Sequence, residues 1–121
     1  MRIFNRKSED EPIFIAEIGV NHEGNIDEAK KLMLLAKLAG YHAAKFQIYS
    51  TSNFLSSYFE DRVKRAETFR LSIKEYKLLK LYGKKINLPV FASAISHDVV
   101  NFLKSDEVIK VASGDIDFNF M

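Results

Sequence analysis

Three apolar runs in this chain each carry an ionisable or amide side chain near the downstream end, and that arrangement narrows the folds open to it. The runs are Ile13-Phe-Ile-Ala-Glu-Ile18, His42-Ala-Ala-Lys-Phe-Gln-Ile48 and Val108-Ile-Lys-Val-Ala112. Strands buried on both faces are almost continuously apolar, so Glu17, Lys45, Gln47 and Lys110 must be paired, hydrated or turned toward a polar cavity. Alternation along a strand puts Lys45 and Gln47 on one side and Phe46 and Ile48 on the other. Glu17 has the parity of Ile13 and Ile15, and Lys110 that of Val108 and Ala112. If the apolar set packs against covering helices, the polar side chains of all three strands face one shared space.

Helical patterns separate the runs. After a turn-rich loop, Gly19-Val-Asn-His-Glu-Gly24, a capping arrangement of Asn25 with Glu28 opens a helix over 26–39. Leu32, Leu35, Ala36 and Ala39 are expected on its core face, and Gly40 stops it. A short amphipathic helix is expected over 58–69, its aromatics serving as core or lid. Ser72 with Glu75 forms a capping box for a helix running to 86 that turns Tyr76, Leu78 and Leu79 inward, and Asn87 and Pro89 end it. Residues 90–94 read as a further strand, and Ser96 as the cap of a helix over 97–104.

The order β-α-β-α-β-α-β implies parallel strands with helical crossovers, in an open sheet or a barrel. A barrel accounts for more, because it holds ligands at the downstream ends of its strands, where the four polar residues lie. The expected fold class is therefore α/β, a partial (β/α)8 TIM barrel comprising strands 1 to 4 with their crossover helices. Residues 1–12 form an N-terminal extension and 13–121 the first half of the barrel. A whole barrel takes about 250 residues, so a 121-residue sequence is expected to be a fragment or a truncated reading frame.

Composition excludes more than it identifies. Lys and Arg number 18 against 16 Asp and Glu, interspersed, a balance that argues neither for nor against a nucleic-acid partner; none is expected, and residues 62–65 read as a solvated basic face. The lack of cysteine removes disulfides and thiolate metal sites. No run has the length of a signal or membrane segment, so no membrane partner and a cytoplasmic location are expected. The open edges of a half barrel lead to the expectation of a homo-oligomer.

Ile15-Ala-Glu-Ile-Gly-Val-Asn-His-Glu-Gly24, Gly40 followed by Ala44-Lys-Phe-Gln47, and Lys110-Val-Ala-Ser-Gly-Asp115 together resemble the N-acetylneuraminate (sialic acid) synthase family, in the same order from about residue 13 onward. The resemblance implies condensation of phosphoenolpyruvate with N-acetylmannosamine or a related amino sugar, with release of phosphate and with Mn2+ or Mg2+ as cofactor. It implies that Lys45, Gln47 and Lys110 bind phosphoenolpyruvate, helped by Ser113 and Gly114, and that Glu17 and Asp115 are the catalytic acids, Glu17 beside the acceptor sugar. The family's metal histidines belong to later strands, so His22, His42 and His97 are not expected to be ligands, and the fragment alone is expected to be inactive.

This sequence departs from the family pattern at two strand ends. Asp115 stands where Glu is common, one methylene shorter, and Ala92-Ser-Ala-Ile95 replaces Ser-Thr-Pro-Phe. Ordinary structural roles also compete with the functional ones: a strand-end lysine can snorkel, Glu17 can serve as the counter-ion of Lys45, Gln47 can satisfy backbone groups, and Asp115 can cap a helix. His22 reads as a loop-ordering hydrogen-bond partner. Two other functions stay open, a 3-deoxy-keto-acid (aldol) synthase on the same barrel and a non-catalytic half-barrel module for binding or assembly.

Overall fold

Four parallel strands, β3 (Ile15–Gly19), β4 (Ala43–Ile48), β5 (Val90–Ala94) and β6 (Ile109–Lys110), lie side by side in chain order. They are joined by α1 (Ile26–Leu38), by α2 (Glu60–Phe69) with α3 (Ile73–Ile86), and by α4 (His97–Leu103). A two-stranded antiparallel hairpin, β1 (Arg2–Ile3) and β2 (Arg6–Lys7), precedes the sheet. The computed structural model describes residues 2–7, 9, 11–51 and 58–112.

One face of the sheet is apolar and covered. Ala44, Phe46 and Ile48 of β4 and Ala92 and Ala94 of β5 join Met33 of α1, Leu79 of α3 and Leu103 of α4 in a single buried cluster. Helix α1 starts where expected because the Asn25 side chain accepts from the N–H groups of Asp27 and Glu28, at 2.9 and 3.2 Å. It ends in paired bonds, Tyr41 N–H to the Ala36 carbonyl and Gly40 N–H to that of Lys37, which Gly40 permits with a φ of 88°. Its buried stripe is Ala29, Met33 and Ala36, however, not the one expected from Leu35 and Ala39. Leu35 is 62% exposed.

Helix α3 forms the full capping box, with Ser72 N–H donating to Glu75 Oε2 at 2.8 Å and Glu75 N–H donating to Ser72 Oγ at 3.2 Å. Tyr76 and Leu79 are buried as expected, but Leu78 is exposed. The Tyr76 hydroxyl donates to Asp106 Oδ2 at 2.6 Å, and the Lys80 ammonium pairs with the same carboxylate. That pairing ties α3 to the turn ahead of β6. Burial pushes the Tyr76 phenol well above its usual range.

Two further expectations are corrected. The fourth strand spans only Ile109–Lys110 rather than 108–112. Ser96 does not cap α4 through its side chain; its hydroxyl accepts from Ser50 N–H at 3.0 Å and so couples the downstream ends of β4 and β5. The N-terminal extension, 1–12, carries the β1–β2 hairpin. Phe4 and Asn5 at its turn both have positive φ, 51° and 62°, a geometry that matches the twist of the flanking strands. The Phe4 ring packs against Phe91 of β5, with centroids 5.3 Å apart, and that contact offsets the backbone strain of a phenylalanine at such a position.

Candidate functional site

The register of the sheet decides which side chains meet. Glu17 pairs with Lys45, Lys45 with Phe91, Gln47 with Ser93, and Ser93 with Lys110. Register neighbours in a parallel sheet share a face, so Glu17, Lys45, Gln47 and Lys110 all lie on the side opposite the helix-covered core. Two levels result: Glu17, Lys45 and Phe91 upstream, and Gln47, Ser93 and Lys110 downstream.

At the upstream level, Lys45 Nζ lies 2.7 Å from Glu17 Oε2. The lysine side chain is only 9% exposed, whereas the glutamate is 64% exposed. A nearly buried cation is thus held by a carboxylate that still reaches solvent. Glu17 does serve as the counter-ion of Lys45, and the pair sits at the strand ends instead of inside the packed core.

At the downstream level, Gln47 is half-buried, Ser93 is buried and Lys110 is exposed. The Lys110 ammonium donates to the neighbouring Val111 carbonyl. The structure therefore brings Glu17, Lys45, Gln47 and Ser93 together on adjacent strands and puts Lys110 at the far end of the row. Ser93 was missed in the sequence because it gains its place only through the β4–β5 register. Its alternation with Phe91 was the available signal. Ser113, Gly114 and Asp115 lie outside the described residues.

The histidines are structural where they are described. His42 Nδ1 accepts from Phe14 N–H at 2.8 Å, stitching the start of β4 to the segment entering β3. His22 Nδ1 accepts from Gly24 N–H at 2.9 Å, and its buried ring lies 5.9 Å from that of Phe46. Burial lowers the His22 pKa, a shift that the Gly19 carbonyl and the Glu75 carboxylate partly oppose. Below the ordinary value of 6.5 the unfolded chain then takes up a proton that the folded chain resists, so stability is full above that pH and declines as pH falls beneath it. Thermal unfolding at stepped pH should show this decline, and His22→Gln should flatten it. The Glu75 carboxylate, held below its usual 4.5 by the Ser72 N–H and hydroxyl, adds stability above that value and loses it as pH falls further. Among the described residues, no three His, Asp or Glu side chains converge in a metal-binding arrangement.

With this geometry in place, the NeuB family profile matches residues 32–120. The chain belongs to the NeuB family. Among its relatives are an uncharacterized protein of Methanocaldococcus jannaschii, 39% identical over 114 residues, and the N-acetylneuraminate-9-phosphate synthase of Drosophila melanogaster, 33% identical over 127 residues. These alignments cover 89% and 93% of this NeuB-family chain but 33% and 34% of the relatives, so the chain spans about a third of their length. The N-acetylneuraminic acid (sialic acid) synthetase of Leptospira borgpetersenii, solved in complex with citrate, superimposes with a TM-score of 0.81 at 32% identity over 87% of this chain and 38% of its own. The NeuB-family chain thus shares the α/β fold of the sialic acid synthetases, with its sheet of four parallel strands. No helix among the described residues is long and apolar enough to cross a membrane.

Proposed function

We propose that this chain forms the first half of a (β/α)8 barrel and supplies the phosphoenolpyruvate-binding part of a nonulosonate synthase. The observation that carries the proposal is the single row of Glu17, Lys45, Gln47, Ser93 and Lys110 along the sheet face opposite the core. A substrate bearing a carboxylate and a phosphate needs fixed cationic donors, and the two lysines, on β4 and β6 with β5 between them, match two separated anionic groups. Gln47 adds a donor without adding charge. The relative solved with citrate binds a small polycarboxylate of the same charge class.

In this proposal, C3 of the enol phosphate attacks the aldehyde carbon of the open-chain amino sugar, forming the new carbon–carbon bond. Water then adds at C2, and the C2–O bond to phosphate breaks with phosphate leaving. Glu17, exposed at the upstream level, orients the acceptor or transfers a proton at its carbonyl oxygen. A second copy covering the open edges of β3 and β6 belongs to the same proposal.

Titration calorimetry tests the proposal. The chain is expected to bind phosphoenolpyruvate with saturable heat, and phosphate release from phosphoenolpyruvate plus N-acetylmannosamine with Mn2+ is expected to stay at background for these 121 residues alone. Absence of saturable phosphoenolpyruvate binding would overturn the assignment of the row.

A further inference from the structure

Helices α3 and α4 both pack on β5, and a groove of about 340 Å³ runs between their outer surfaces. One wall is a single stripe of α3, with Tyr76, Lys77, Lys80, Leu81 and Lys84 at the three- and four-residue spacing of one helix face. Phe102 of α4 and Asp106 of the following turn form the other wall. Further strands of a barrel would join at the free edges of β3 and β6, and a helix following β6 would pack on the far side of α4. Completing the sheet therefore leaves this groove open.

The polar groups of the floor are already satisfied. The Tyr76 hydroxyl and the Lys80 ammonium donate to different oxygens of the buried Asp106 carboxylate, so that acid is fully used and Lys80 is neutralised. The rim is not. Leu81 is 60% and Phe102 54% exposed, two large apolar side chains facing water from opposite walls. Lys77 and Lys84 are exposed as well, and among the described residues neither has an acidic partner. They stand seven residues apart, two turns and about 10.5 Å along the helix, with Leu81 between them. Helix α3 as a whole carries five lysines against one glutamate, so the field over the groove is positive.

An apolar strip bracketed by unpaired cations selects its occupant by charge as well as by shape. A second copy placed on this face by two-fold symmetry would set the same lysines against each other. A flat bilayer would leave the concavity between the helices unfilled. An acidic helix meets both requirements, since its side chains enter a groove and its carboxylates recur at each turn. We propose that the α3–α4 groove docks an acidic amphipathic helix of a partner protein, with an apolar residue seated between Leu81 and Phe102 and carboxylates two turns apart on Lys77 and Lys84. The groove lies on the helix-covered side of the sheet, away from the polar row, so the proposal does not depend on the assignment of that row to phosphoenolpyruvate.

Fluorescence anisotropy on the full chain tests this with two labelled peptides, each about four turns long and stapled into a helix. One carries glutamates two turns apart that bracket a central leucine, and the other has lysines in their place. The parent chain should bind the glutamate peptide at least about tenfold more tightly, because two attractive rim pairs are exchanged for two repulsive ones. Lys77→Glu/Lys84→Glu should reverse that order, and Leu81→Ser/Phe102→Ser should lose both peptides. All four side chains are exposed, so circular dichroism should show the variants folded. Binding of neither peptide by the parent, equal binding of both, or a preference unchanged by the charge reversal overturns the proposal. Displacement of the glutamate peptide by phosphatidylserine vesicles also overturns it, by making the face a membrane surface. So does a parent dimer in sedimentation that the charge-reversed variant lacks, which would make the occupant a second copy.

Discussion

Lys45→Met is expected to weaken phosphoenolpyruvate binding by about 10- to 150-fold, equivalent to roughly 1.5–3 kcal/mol for a hydrogen bond to a charged group, while leaving global stability within about 1 kcal/mol. The two effects separate because of where the charge lies. The side chain is nearly buried, so the methionine fills the same space and removes the desolvation cost of an ammonium. Its partner Glu17 is mostly exposed and loses little by reverting to water. A lysine kept for stability would give the opposite pattern, a lower melting temperature with unchanged ligand affinity. Calorimetric titration beside a thermal melt distinguishes the two, and unchanged affinity would remove Lys45 from the site.

Gly24→Ala is expected to destabilise the fold by about 2–5 kcal/mol, summing the cost of an L side chain in the left-handed region with that of overpacking. Gly24 has a φ of 78°, and a Cβ there would fall 2.1 Å from the Thr68 carbonyl oxygen. The obstacle is backbone, so no side-chain rotation relieves it. Relief requires the C-terminal turn of α2 to move away from the loop, which would also disturb the His22 bond to Gly24 N–H. Denaturant unfolding measures the loss. A midpoint equal to that of the parent would show that α2 yields at little cost.

The parts of this structure legible in the sequence are those encoded locally. Lys45 and Gln47 share a face because alternation along one strand is enough to say so, and the equivalent placement of Glu17 and Lys110 followed from parity in their own strands. Helices α1 and α3 announced their starts through Asn25 and the Ser72–Glu75 box. The orientation of their faces was less clear, since a helix rich in leucine satisfies several stripes at once. Choosing Met33 over Leu35, or Tyr76 over Leu78, depends on what the opposite element presents.

Non-local relations were not legible. Ser93 joined the row only through its register with Gln47, and Ser96 gave its hydroxyl to Ser50, 46 residues away, instead of to its own helix. The placement of α2 was equally illegible, because nothing nearby in sequence says that Tyr49 and Gly24 hold it over the strand ends. Phe4 at a positive φ runs against local preference, and its partner Phe91 lies far along the chain.

The Phe4–Phe91 stack sets up a queue. Phe91 is the register neighbour of Lys45, so the hairpin puts an aromatic floor at the upstream level of the row, while the downstream level of Gln47 and Ser93 faces the mouth. In the proposed complete barrel that floor would leave the downstream end as the way in, so a molecule held at Lys45 would arrive before anything held above it and leave only after the upper guest had gone. For the proposed two-substrate synthase this would mean a compulsory order of addition, with the deeper substrate leading. An inert analogue of the second substrate would then inhibit more strongly as the first approaches saturation, because it lands only on the complex that the first has already made.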